Sequence, residues 1–226
     1  MSFTGVWAIG AVPDAEVAAL PGRFAHLEGE WTTPPNCAAD LTWWLSGGDR
    51  EPYFTPEPTP AAHRFAAFAR SGGPSAPAVA AMKQAGMDLL RDAEGDPEGD
   101  AGGDTDGDTD GAVVGRAAFV AAARKGDPAV ALCYGLGAEA AARLPGWFGD
   151  FLLTATEVRA VLPHAESVLA VAGPRRTEVL ARIDAWMSAM SDDPGFEAGT
   201  LLEGPLRVLR YAAANGMGAV GVTEPY

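Results

Sequence analysis

The chain has 226 residues, of which 48% are hydrophobic, and a formal net charge of −14. Six tryptophans and this apolar fraction are ample for a core, whereas the acidic balance disfavours nucleic acid and anionic membrane surfaces, which need a basic excess. Nine of the 30 acids lie between Asp92 and Gly111, so residues 1–91 (−3) and 112–226 (−2) are each nearly neutral.

Taken in chain order, the apolar stretch Phe3–Ile9 predicts a first strand, closed by Gly10 and Pro13. A short helix over Asp14–Leu20 follows and is stopped by Pro21 and Gly22. Asn36 as N-cap and Gly47 as terminator bracket a helix with Leu41, Trp44 and Leu45 on one face. The proline-rich stretch after Arg50 predicts a loop. Thr59 and Pro60 then open a helix running to about Arg70, and another helix covers roughly Ala76–Arg91. Beyond the acidic run, Arg116–Lys125 reads as a helix and Ala129–Cys133 as a short buried strand.

Phe151–Leu153 reads as a strand leading into a helix, where Thr154 and Glu157 stand at capping-box spacing. Val179, Leu180, Ile183, Trp186, Met187 and Met190 form one apolar stripe, which makes Arg175–Met190 the clearest amphipathic helix. A last helix over Leu201–Asn215 stops at Gly216, and Gly218–Thr223 reads as a final strand. The expected fold is α+β: a predominantly helical single domain with a small sheet of short strands, spanning 1–226. A disordered acidic Gly/Asp linker is expected to interrupt it at about 92–111.

That linker imitates a calcium loop. Asp106, Asp108, Asp110 and Gly111 reproduce positions 1, 3, 5 and 6 of an EF-hand, and Val113 the apolar position 8. Position 12, which needs a bidentate glutamate, is Ala117, so the tract reads as a solvated spacer and no metal is expected. His26, Glu28 and Glu30 lack the cysteine pair that a zinc deaminase requires, and His63 and His164 have no ligand residues nearby in sequence. No nucleophile elbow or phosphate-binding loop is present, and Cys133, in an apolar run, reads as a buried thiol.

The aromatic residues carry the remaining signal. Trp43 and Trp44 diverge by about 100° on a helix, so they cannot both face one core. One of them, with Tyr53 and Phe54, could line an apolar interaction surface, or both could be buried between two layers, and Trp147 with Phe148 admits the same two readings. The lack of a positive region before the first apolar stretch, interrupted by Asp14 and Glu16, argues against a secretory signal. No segment approaches the ~20 apolar residues of a membrane span. Cys37 and Cys133 fit reduced thiols, so the expected location is cytoplasmic.

The succession CAADLTWWLSG, the tyrosine–glycine stretch Cys133–Gly135, LLTATEV, the tryptophan-bearing helix and LRVLRYAAANGMGAVGV resembles the YfbM-like family of uncharacterised bacterial proteins. The resemblance spans most of the chain, although the acidic insert departs from it. It implies an α+β fold; the family has no agreed activity, so it implies no mechanism or cofactor. The expected function is a protein-interaction or regulatory module without a catalytic signature, with another protein as partner. An immunity or antitoxin role fits its size and acidity. The alternative is a small-molecule enzyme or ligand binder whose site gathers Tyr53, Tyr134, Asp150 and Glu157.

Overall fold

A computed structural model describes residues 5–23, 77–94, 113–114, 117–192 and 194–225. The expected helices at Asn36–Gly47 and Thr59–Arg70, the proline-rich loop, Trp43, Trp44, Tyr53, the His26 trio and most of the acidic linker lie outside these residues.

The described residues form a single α+β domain. Its five-stranded antiparallel sheet has the order β2-β3-β1-β5-β4, with β1 Gly5–Val12, β2 Val113–Val114, β3 Ala118–Ala123, β4 Phe151–Leu153 and β5 Gly218–Pro225. The helices are α1 Asp14–Arg23, α2 Pro77–Glu94, α3 Pro128–Leu136, α4 Ala138–Ala141, α5 Ala155–Leu169, α6 Gly173–Ala189 and α7 Ala198–Asn215.

Strand periodicity explains the layering. Trp7, Ile9 and Ala11 of β1 join the larger apolar cluster with α3, α5, α6 and α7, while Ala8 and Val12 point the other way into a smaller cluster. That smaller cluster adds Val17 and Leu20 of α1 and Leu90 of α2. Phe151 and Leu153 of β4 enter the larger cluster and Leu152 the smaller, and β5 divides Ala219 from Val220 and Val222 in the same way. The sheet is therefore covered on both faces.

Two expected elements are exchanged. Arg116–Lys125, expected as a helix, contains β3, and Ala129–Cys133, expected as a strand, lies inside α3. Pairing of β3 with both β1 and β2 overrides the helical preference of its alanines, and Phe119, Ala121 and Ala123 alternate inward as a strand requires. In α3 the Asp127 carboxylate accepts from the N–H groups of Ala129 (2.9 Å) and Val130 (3.1 Å), with Pro128 at the first helical position. Every residue of α3 is buried, so no polar face marks it as a helix.

Other expectations are met closely. α6 buries Val179, Ile183, Trp186 and Met187, and α7 ends at Gly216 in the left-handed region (φ 64°). The capping box of α5 is complete: Glu157 N–H donates to Thr154 Oγ1 (3.4 Å) and Thr154 N–H to Glu157 Oε2 (2.8 Å). α1 runs through Pro21 and Gly22 to Arg23, further than the sequence suggested.

Candidate functional site

The most unusual polar arrangement in the described core surrounds the turn that feeds β4. Trp147 and Asp150 exchange backbone hydrogen bonds of 2.9 Å each way, closing a two-residue turn. Both central residues have positive φ, Phe148 at 43° and Gly149 at 98°, as in the primed turns that match the twist of a sheet. Phenylalanine is costly in that region, so the packing around it must hold it there. Gly149 is required for a second reason. A Cβ at this position would stand 2.6 Å from Trp7 Nε1 and 2.7 Å from Ala129 Cβ. The Trp7 indole N–H donates to Gly149 O at 3.3 Å.

This turn delivers the buried Asp150 carboxylate to the middle of a three-way junction. Asp150 Oδ1 accepts from the N–H (2.7 Å) and hydroxyl (2.9 Å) of Thr223 on β5, and Oδ2 pairs with Lys83 Nζ of α2 at 2.7 Å. Lys83 Nζ also donates to Thr223 O at 3.0 Å. Burial pushes the Asp150 carboxyl above its ordinary value, opposed by the Lys83 charge and by the bonds from Lys83 and Thr223.

A second aspartate interacts with the first electrostatically. Asp127 is pushed up to about 6, chiefly by burial, with the Asp150 charge acting in the same direction; the N–H bonds of Val130 and Ala129 and the Lys83 charge oppose the rise. The residue as a whole is partly exposed. A further aspartate, the buried Asp192, fixes the chain just before it. Its oxygens accept from the N–H groups of Arg124 (3.3 Å), Lys125 (2.6 Å) and Gly126 (2.6 Å).

The residues singled out from sequence do not converge. Trp147 and Asp150 share the turn, but Trp147 is 5% exposed and packs edge-on to Phe148 at 5.2 Å, presenting no face to a partner. Tyr134 is 1% exposed within α3, with the Arg182 guanidinium 5.5 Å from its ring centroid. Glu157 is exposed and engaged in the capping box. Beside the turn, Trp7, Cys133, Phe148 and Phe151 line an apolar cavity of about 30 Å³, room for roughly one water molecule.

Asp127 had a legible signal that was not used: an aspartate directly before proline and an apolar run is a helix start. Lys83, Thr223 and Asp192 had none, because their partners lie 66 or more residues away along the chain. Among the described residues no helix is long and apolar enough to cross a membrane, and no three His, Cys, Asp or Glu side chains come together as a metal-ligand set. Comparison with protein families, with curated proteins and with solved structures found no match.

Proposed function

We propose that this chain is a protein-interaction or regulatory module of the cytoplasm, and we keep its YfbM-like kinship as part of that proposal. One observation supports it above the others: the three aspartates packed around the sheet and α3 are already engaged. Asp150 holds Lys83 and Thr223, Asp127 caps α3, and Asp192 holds three consecutive N–H groups. Groups used in this way rigidify a scaffold. The adjoining apolar cavity of about 30 Å³ is far below the ~300 Å³ at which ligand pockets begin.

The test pairs affinity capture by the full chain, from lysate of its own cells, with a screen for small-molecule turnover. A stoichiometric partner that the Asp150→Asn variant also retains supports the reading. Turnover that disappears in Asp150→Asn, beyond what its loss of folded protein explains, would make Asp150 catalytic and end it.

A further inference from the structure

A separate feature stands at the far end of α3. There a surface cleft of about 280 Å³ is lined by Gly137, Ala138, Glu139, Arg143, Arg175 and Arg182, among others. Three arginines line it against Glu139, and Glu178 beside it pairs with Arg175 at 2.9 Å and Arg182 at 3.9 Å, which leaves a local positive excess in a chain of net charge −14. We infer that this cleft is a binding site for a small, multiply charged oxyanion, a phosphorylated or polycarboxylate metabolite, with Arg143 as its principal contact.

The three arginines have different standing. Arg175 Nη2 donates to Leu136 O at 2.6 Å and its Nη1 pairs with Glu178 at 2.9 Å. Arg182 Nη2 donates to Tyr134 O at 3.0 Å. These two groups neutralise the carbonyl end of α3, where cations are favoured, and so have a structural duty. Arg143 does not share it: among the described residues its exposed guanidinium has neither an ion-pair nor a hydrogen-bond partner.

Burial depresses the Arg182 guanidinium from its ordinary value, the nearby Arg175 charge acts in the same direction, and Tyr134 and Glu178 oppose both. Arginine forks match the planar oxygens of carboxylate and phosphate groups, so an anion between the walls would be gripped from more than one side. The lining is open at Gly137 as well, because the position a side chain would take there has no neighbouring atom within 4 Å. The volume suits a small metabolite and not a peptide or a nucleic acid strand.

The experiment is calorimetric titration of the full chain with pyrophosphate and, separately, with citrate, at physiological ionic strength. Saturable binding of at least one is expected, weakened about tenfold in Arg143→Ala at an unchanged melting temperature and partly restored in Arg143→Lys. Glu139→Gln should tighten it. Binding of pyrophosphate alone assigns the phosphoryl class, and binding of citrate alone the carboxylate class. No saturable heat with either probe, or equal affinity in wild type and Arg143→Ala, overturns the inference. Either failure leaves the proposed module untouched, since that reading rests on Asp127, Asp150 and Asp192.

Discussion

Asp192 shows how much of this core depends on single side chains. Its carboxylate accepts from three successive N–H groups, those of Arg124, Lys125 and Gly126, which link β3 to α3. Alanine would leave these donors without an acceptor, so Asp192→Ala should cost about 3 kcal/mol in urea unfolding, and Asp192→Asn less, since one oxygen remains. Asp127 makes a different prediction. Its folded value of about 6 lies above the ordinary 3.8, so the native state keeps a proton that the unfolded state releases between about pH 4 and 6. Its contribution to stability therefore falls as pH rises through that window and is level above it. Asparagine can cap α3 without ionising. Melting curves from pH 4 to 7.5 should show Asp127→Asn gaining on wild type through the window, and a constant difference between the two proteins would refute the assignment.

At the scale of elements, the capping box of α5 and the seat of α7 make separate predictions. Thr154→Ala removes the acceptor of the Glu157 N–H and one half of the reciprocal pair, a loss of about 1 kcal/mol measurable by chemical denaturation. Gly204 of α7 rests directly on the ring of Phe119, which is fully buried. Alanine there gains about 1 kcal/mol of helix propensity, but overpacking of 1–3 kcal/mol is expected against a ring that cannot retreat. A net loss should follow; an increase in melting temperature would show that α7 can lift.

These same elements show what the chain's letters could reveal. The α5 start, the α6 stripe and the α7 stop were readable because each is signalled within a few residues: Thr154 with Glu157, Val179 to Met187, Asn215 with Gly216. β3 was not, because it is alanine-rich and apolar, and the wholly apolar run of α3 hides a helix whose start Asp127 and Pro128 do mark. Their identities are decided by neighbours far off in sequence: β1 and β2 for one, and a core that surrounds the other on all sides. For the same reason Asp150 was singled out, but Lys83 and Thr223, which give it its setting, were not. The sequence admits both core and surface for Trp147, and Tyr134 enters only the ligand-site alternative; both belong to the core.

At the scale of the molecule, the sheet separates two apolar layers that share no side chain among the described residues. Leu20 of α1 is buried in the smaller layer and Ile183 of α6 in the larger. Leu20→Ala and Ile183→Ala should each cost about 2–5 kcal/mol, and the double variant should equal their sum within about 0.5 kcal/mol. A larger coupling in the double-mutant cycle would mean that the layers are not independent. The sheet also has a consequence for biosynthesis. β1 lies between β3 and β5, and its Gly5 pairs with Pro225, 220 positions later. While a ribosome is still making the intervening chain, β1 waits with one flank open, and only when residues 218–225 emerge can its second row of hydrogen bonds form. Until then the nascent protein carries an unpaired edge of the kind that invites association with other chains. The interval between making the first strand and the fifth is thus when the nascent chain is expected to be most prone to association.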